Sequence, residues 1–237
     1  WQSHSSCQNS SRGQLIWWIQ PCSRVGWLIS FSSGSPSRRL MAKAFIKYLK
    51  YSEKVRVTTP AGTDMMFYKE NRNPGFFNGV LRDGKGYSSS SIEVYVPIEE
   101  TKTEGIMVLD GSLGYIGRAD EPTRIIFKGG RIVDIEETPT GIRLKKYMEE
   151  YFDPRIYIAG ELGIGLNSCS NCLGNCYIED ESAYGTFHVG LGRNIALGGV
   201  QNAKGHFDLV CREPDIFTDN RQIMDRGKII APEPVLY

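Results

Sequence analysis

The chain has no uninterrupted apolar run near the ~20 residues that a membrane-spanning helix needs. Its most apolar stretch, residues 15–29, is broken by glutamine, proline, serine and arginine. These interruptions, and the serine-rich sequence that follows them, fit a secretory signal poorly. The sequence therefore predicts a cytoplasmic protein without a membrane partner, in which the six cysteines are kept reduced.

An excess of charge of either sign is also missing, since the formal net charge is +1 over 237 residues. This argues against the basic surface that is typical of nucleic-acid-binding proteins. The expected partner is a peptide or small-molecule substrate, and a homodimer is left open. Residues 1–39 are rich in serine and keep no periodicity, so they are predicted to be a disordered or non-native segment. Residues 40–237 are predicted to form the folded domain.

The 26 glycines lie in short units between apolar runs, which is typical of a turn-rich protein with many short strands. The predicted fold class is α+β, with a mostly antiparallel, curved β-sheet and one or two amphipathic helices. Helices are expected at residues 40–49 and 141–152, the second with an apolar face of Ile142, Leu144, Tyr147, Met148 and Tyr151. A loop is expected at residues 71–91 and a glycine-tipped hairpin at 124–135. Further strands are expected at residues 55–58, 65–68, 93–96, 105–109, 156–159, 185–190, 206–210, 216–218 and 222–223.

Histidine is scarce, with three in the chain, and His4 lies in the segment predicted to be disordered. In a strand, side chains two apart share a face, so His206 and Asp208 should point the same way while Phe207 enters the core. His188 on the preceding strand would add a second imidazole. Two histidines and a carboxylate suit an open non-haem iron site, and added carboxylates suit zinc, cobalt or manganese. A buried structural His–Asp pair is the alternative.

Glu161 favours the metal interpretation because it lies within the apolar sequence IAGELGIG. A carboxylate between apolar runs is seldom buried unless it is paired or bound to a metal. Residues 40–237 are therefore predicted to form a metal-binding catalytic domain.

A family resemblance rests on several segments that occur in a fixed order. They are TTPAGTD (58–64), EVYVP (93–97), ELGIGLN (161–167), EDE (179–181), GTFHVGLG (185–192), GG (198–199) and HFD (206–208). Over roughly residues 41–237 the chain resembles the aminopeptidase T family of metallo-aminopeptidases. It is also similar to the related 2,5-dihydroxypyridine 5,6-dioxygenases.

The peptidase branch implies a site for two zinc, cobalt or manganese ions, with the ligands Glu93, Glu161, His188, His206 and Asp208. Glu93 and Glu161 would also be the catalytic carboxylates that assist a metal-activated water. That branch also implies a tyrosine ligand, and its position is occupied here by Ile195, which cannot coordinate a metal. Because both glutamates are present, the expected function is a metal-dependent aminopeptidase-like hydrolase that releases N-terminal amino acids.

The dioxygenase branch implies a single Fe(II) held by His188, His206 and Asp208, with Glu93 and Glu161 around these ligands. Such a site would support ring cleavage of a dihydroxypyridine. The resemblance also implies an α/β domain ahead of the TTPAGTD segment, and little of it is recognised in this sequence. An inactive metal-binding fragment is therefore the third alternative.

Two other groups of residues invite a functional interpretation. Cys169, Cys172 and Cys176 form a C-x2-C-x3-C run, which is a fragment of many zinc and iron–sulfur sites. Only three thiolates are supplied, so an incidental or redox-sensitive thiol cluster is the favoured interpretation. The acidic residues 179–181 are expected either to form a solvated turn or to support His188.

Overall fold

The computed structural model describes residues 36–77, 92–219 and 221–230. Within these residues the chain forms two antiparallel sheets and three α-helices, so the predicted α+β class is confirmed. The strands of the larger sheet are β1 (Lys54–Thr58), β2 (Asp64–Tyr68), β5 (Glu104–Leu109), β6 (Thr123–Lys128), β7 (Arg131–Ile135), β11 (Asp215–Thr218), β12 (Arg221–Asp225) and β13 (Lys228–Ile229). Their order across that sheet is β13-β12-β11-β1-β2-β5-β6-β7.

The smaller sheet contains the residues that the sequence singled out for chemistry. Its strands are β3 (Gly75–Phe77), β4 (Glu93–Pro97), β8 (Ala159–Gly165), β9 (Thr186–Gly192) and β10 (His206–Arg212), in the order β10-β9-β8-β4-β3. Every residue of β8 and β9 is buried, so these two strands are covered on both faces. One face supplies core residues such as Leu162 and Val189, and the other supplies Glu161 and His188.

The larger sheet has the alternation that the sequence predicted for its first strands. Val55 and Val57 of β1 are buried while Lys54 and Arg56 are exposed, which is the pattern of a sheet with one covered face. The hairpin of β6 and β7 turns at Gly129 and Gly130, both with positive φ, as predicted.

Two helices occur where amphipathic patterns predicted them, with different bounds. Helix α1 is Pro36–Tyr51, and its buried residues Ala42, Phe45 and Leu49 lie on one face. Helix α2 is Pro139–Glu149; it begins two residues early because the Thr138 hydroxyl caps the Gly141 N–H (3.0 Å). Ile142 was predicted to be on the apolar face of α2, but its side chain is 58% exposed. That prediction was wrong.

Other local predictions also needed correction. The strand expected at residues 156–159 is instead a 3-10 turn, Pro154–Tyr157, followed by β8. Asp153 holds this turn by accepting from the Arg155 N–H, and Pro154 cannot donate in a sheet. The loop expected at 71–91 contains β3, and its residues 78–91 lie outside the described part of the chain. A third helix, α3 (Tyr177–Ser182), includes the acidic residues expected to form a turn.

None of the helices described for this chain is both long and apolar enough to cross a membrane. The domain boundary expected after residue 39 stays a prediction, because residues 1–35 lie outside the described ranges.

A buried carboxylate, Glu100, joins three separate segments close to β8. Its side chain pairs with Arg72 and accepts hydrogen bonds from the Asn194 side chain (2.7 Å) and the Val200 N–H (3.0 Å). Asn194 also donates to the Gly160 carbonyl (2.9 Å), next to Glu161. Burial alone would raise the pKa of Glu100, but these donors outweigh it and lower the pKa from its usual 4.5 to about 2.

The Glu100→Gln variant is expected to lose about 1–3 kcal/mol of unfolding free energy at pH 7, the range for losing hydrogen bonds to a charged group. A lowered pKa means that the contribution of the carboxylate is complete above its unfolded pKa of 4.5. It is lost as the pH falls toward about 2. Urea unfolding at pH 7 and pH 3 should therefore show a smaller difference from the parent protein at pH 3.

The control is Glu137→Gln, at a side chain that is 86% exposed, and it should change stability by less than ~0.5 kcal/mol. An equal cost at both pH values would contradict this account.

Candidate metal centre

Three neighbouring strands bring the predicted site residues together by their register. Glu161 of β8 lies opposite Gly190 of β9, and Asp208 of β10 lies opposite the same glycine. His188 of β9 lies opposite Gly163 of β8. In β10, Phe207 is fully buried in the core, as the strand alternation predicted.

The donor atoms of these residues converge on one point. The Nε2 atom of His206 lies 3.2 Å from Glu161 Oε2 and 3.2 Å from Asp208 Oδ1. The Nε2 atom of His188 lies 3.8 Å from Glu93 Oε2 of β4. Glu161, His188 and Asp208 each offer a ligand atom within 4.8 Å of the others. Ligands bound ~2.1 Å from one ion lie roughly 3 Å apart, so the spacing around His206 suits a shared metal.

Two glycines make room for this convergence. A Cβ on Gly163 would lie 1.8 Å from His188 Nε2. A Cβ on Gly190 would lie 2.7 Å from Glu161 Oε2 and 2.8 Å from His206 Cε1. Both positions face the site from the middle of a strand, where any side chain would occupy the space of a donor. The two glycines therefore leave free the space that the donor side chains occupy.

Buried polar atoms without a hydrogen-bond partner are concentrated at this point. Of the six such side-chain atoms in the described part of the chain, three are Glu93 Oε2, His188 Nδ1 and Asp208 Oδ1. A buried polar atom with no partner costs about 1–3 kcal/mol, so three in one place are hard to explain in a protein that binds nothing there. Carboxylate oxygens and imidazole nitrogens are the donors that divalent transition metals use, and the residues present fit such an ion.

The electrostatics of the cluster favour the binding of a positive charge. Burial raises the pKa of Glu93 well above its usual value, and the charges of Glu161 and Asp208 raise it further. Burial, together with the charge of Glu93, also raises the pKa of Glu181. Although burial lowers the pKa of His206, its contacts with Asp208 and Glu161 raise it overall. A divalent cation would relieve the repulsion among these carboxylates.

His206 is oriented by a hydrogen bond between its Nδ1 and the Arg193 carbonyl (2.8 Å). This contact requires Nδ1 to carry the proton, which leaves Nε2 free to act as a metal ligand. The His206 side chain is 28% exposed, whereas Glu161 and Asp208 are almost fully buried. The cluster is therefore open to solvent at His206.

Sequence reasoning missed Tyr177 and assigned Glu181 no contact with Asp208; these two residues lie one turn apart on α3. The Tyr177 hydroxyl donates a hydrogen bond to Asp208 Oδ2. Glu181 is buried and also makes a hydrogen bond with Asp208. The acidic residues 179–181 were considered as support for His188, but the structure directs Glu181 to Asp208 instead. The spacing of Tyr177 and Glu181, i and i+4, was the signal available in the sequence.

The Tyr177→Phe variant is expected to weaken metal binding about 10- to 100-fold, the usual range for losing a hydrogen bond to a metal ligand. The aspartate would then lack the donor that fixes its orientation. Competition with a chromophoric chelator measures this affinity. Tyr184→Phe is the matched control, because the Tyr184 hydroxyl contacts the Ile229 N–H and not the cluster. A change of less than twofold for Tyr177→Phe would count against a positioning role.

The cysteine run does not form a metal site in the described residues, since the group there that could hold an ion contains no cysteine. Cys172 is buried, and burial raises the pKa of its thiol to about 12. Cys211 is fully buried in the core. Asp180 of α3 holds the loop that carries these cysteines, because it accepts from the N–H groups of Leu173 (2.8 Å) and Gly174 (2.9 Å).

An antiparallel α+β fold with buried carboxylates and imidazoles around one point defines a protein with a site for a metal ion. A model of the 2,5-dihydroxypyridine 5,6-dioxygenase family matches residues 32–231. The chain belongs to that family. The 2,5-dihydroxypyridine 5,6-dioxygenase of Pseudomonas putida KT2440 is 27% identical over 146 residues, which are 56% of this chain and 41% of that protein.

Two solved structures share the fold. The 2,5-dihydroxypyridine dioxygenase from Pseudomonas putida KT2440 has a TM-score of 0.73 at 21% identity, over 86% of this chain and 63% of its own. Wild-type AmpT from Thermus thermophilus has a TM-score of 0.61 at 15% identity, over 85% of this chain and 57% of its own. The chain thus spans less than two thirds of the length of each of these relatives.

The expected aminopeptidase-like hydrolase is therefore wrong as the main interpretation. The family model and the curated relative both belong to the dioxygenase branch, whereas AmpT is a structural neighbour at 15% identity. The resemblance itself, to a group containing both branches, is confirmed. Ile195, which stands where the peptidase branch implied a tyrosine ligand, is 45% exposed.

Proposed function

We propose that this chain carries the iron centre of a dioxygenase that opens the ring of a dihydroxypyridine. One Fe(II) would be held by His188, His206 and Asp208. The observations that carry this proposal are the 3.2 Å distance from His206 Nε2 to Asp208 Oδ1 and the ligand atoms of Asp208 and His188, which lie within 4.8 Å of each other, in a chain of this family. Two histidines and one carboxylate with open positions are the ligand set of non-haem Fe(II) oxygenases.

A bound Fe(II) would supply open positions at which substrate oxygens and dioxygen can meet. The protein's own groups would then orient the ligands and handle protons. Tyr177 holds Asp208 and the Arg193 carbonyl holds His206, so both ligands keep one orientation. Glu161 lies 3.2 Å from His206 Nε2 and is placed to accept a proton from a substrate hydroxyl beside that ligand. Glu93, whose Oε2 lies 3.8 Å from His188 Nε2, is a further carboxylate for the same task or for direct coordination.

Oxygen uptake by the iron-loaded chain tests this function. Protein purified without oxygen and loaded with Fe(II) is mixed with 2,5-dihydroxypyridine, and dissolved oxygen is followed with the substrate absorbance. Both oxygen atoms should enter the ring-opened product, so one O2 should disappear per substrate without an added reductant. Glu213→Gln, at an exposed position outside the cluster, is the control and should behave as the parent protein.

Three results would contradict the proposal. Iron bound without oxygen uptake would favour an inactive metal-binding chain. Two zinc, cobalt or manganese ions per chain in place of one iron would contradict the mononuclear centre. Uptake that persists in a variant lacking His206 would place the chemistry elsewhere.

A further inference from the structure

An aromatic pair lies directly against the metal centre. The rings of Tyr115 and Tyr177 are stacked, with centroids 4.3 Å apart and an angle of 17° between their planes. Tyr177 is the residue whose hydroxyl donates to Asp208. The stacking therefore positions the ring of Tyr115 one aromatic layer away from a metal-binding carboxylate.

The close packing of the 3-10 turn Gly114–Ile116 against β10 keeps Tyr115 at this place. A Cβ on Gly114 would lie 3.2 Å from the Asp208 carbonyl oxygen and 3.4 Å from the Tyr177 ring, so the turn touches both neighbours. Gly114 adopts a left-handed φ of 55°, which other residues rarely adopt. The turn is thus anchored to the strand that carries two of the ligands.

The ring of Tyr115 is also reached by solvent. It is 62% exposed although one of its faces is covered by Tyr177, so its other face is available to solvent. Besides burial, the charges of Asp208 and Glu181 raise the pKa of Tyr115 and that of His206 lowers it, so the phenol lies within the field of the site. His206 is the partly exposed member of the cluster, at 28%. Tyr115 and His206 therefore both reach solvent within one electrostatic neighbourhood, and Tyr115 is an exposed aromatic neighbour of the site.

We propose that the exposed face of Tyr115 is the stacking surface for the planar ring of the substrate, with Tyr177 supporting it from behind. The inference rests on the proposed function, because it takes the metal centre as the place where the substrate binds. Aromatic rings stacked with centroids 4.5–7 Å apart gain about 0.5–1.5 kcal/mol beyond the area they bury. Tyr115 would select a flat aromatic ring over an aliphatic molecule with the same metal-binding atoms.

A matched pair of probes separates ring stacking from metal binding. Acetohydroxamate and 1-hydroxypyridin-2-one present the same two oxygen donors to a metal, and the second also has a planar aromatic ring. Their dissociation constants are measured by anaerobic titration of the Fe(II)-loaded chain. The variants are Tyr115→Leu, which removes the ring, and Tyr115→Phe, which keeps it. Metal content and thermal unfolding are recorded for each protein.

Tyr115→Leu should weaken 1-hydroxypyridin-2-one about 3- to 10-fold, the equivalent of the stacking energy. Acetohydroxamate should change less than twofold, and Tyr115→Phe should bind both probes as the parent does. Equal losses for both probes, or none for the aromatic one, would overturn the proposal. If neither probe binds to the parent protein, the metal centre and the stacking surface both fail. Normal probe selectivity without oxygen uptake from 2,5-dihydroxypyridine would contradict the proposed function and leave the stacking surface supported.

Discussion

The His206→Ala variant is expected to lose its metal and, with it, more than about 99% of any metal-dependent turnover. His206 Nε2 is the atom that joins Glu161 to Asp208, at 3.2 Å from each. Without it, the ion loses a nitrogen ligand and only the carboxylates and His188 remain to hold it. Removing a residue that only supports a ligand already costs 10- to 100-fold in affinity, so removing a ligand should cost more.

The measurement is elemental analysis of protein purified without oxygen, together with thermal unfolding. Because His206 is at the open edge of the cluster, the variant should remain folded. Asp64→Asn is the matched control, since Asp64 forms an exposed ion pair with Arg56 and is not one of the candidate ligands. One iron per chain in the control and almost none in His206→Ala is the expected result. Equal metal content in the two variants would mean that His206 and Asp208 form only a structural pair.

The second large effect is expected from the Gly163→Ala substitution, which adds a single methyl group. The new Cβ would lie 1.8 Å from His188 Nε2, a distance that forces the imidazole to leave its position. Overpacking of this kind costs about 1–3 kcal/mol, and a displaced ligand should also abolish tight metal binding. Urea unfolding with a chelator present measures the first effect, and elemental analysis measures the second.

A double-mutant cycle shows whether the clash with His188 is the cause. In a His188→Ala background the alanine at position 163 has no ring to displace, so its stability cost should largely disappear. The two substitutions should therefore be coupled by about 1–3 kcal/mol in the metal-free protein. Purely additive costs would point to an effect on the strand backbone, and the glycine would then have no role in making room for the ligand.

The choice between branches shows where the sequence argument failed. Glu93 and Glu161 were weighed as signs of the peptidase because that branch uses two glutamates as ligands. The structure shows that both carboxylates do lie in the cluster. Their presence nevertheless does not separate the branches, because carboxylates next to a ligand set serve a mononuclear centre as well. The family match over residues 32–231 decided the question.

Local patterns were sufficient for most of the fold. The alternation of Val55 and Val57, and the glycine pair at 129–130, predicted a strand and a hairpin that the structure contains. Errors occurred where neighbours override local preference. Ile142 has the spacing of a core residue, yet the packing of α2 leaves it exposed. Residues 156–157 have strand-like side chains, but Asp153 and Pro154 form a turn there.

The sequence by itself determined the class of the fold, the pairing of His206 with Asp208 on one strand face, and the candidates His188 and Glu161, because strand periodicity and burial of apolar runs are local properties. Glu93 became a candidate only through the family resemblance. Only the tertiary structure decided how the ligands meet, since that depends on the register of β8, β9 and β10. Register places Gly163 opposite His188 and Gly190 opposite Glu161, which no single segment reveals. It also brought Tyr177 to Asp208 across 31 positions of the chain. A contact of that kind depends on how helix and sheet pack, and packing is a property of the whole domain.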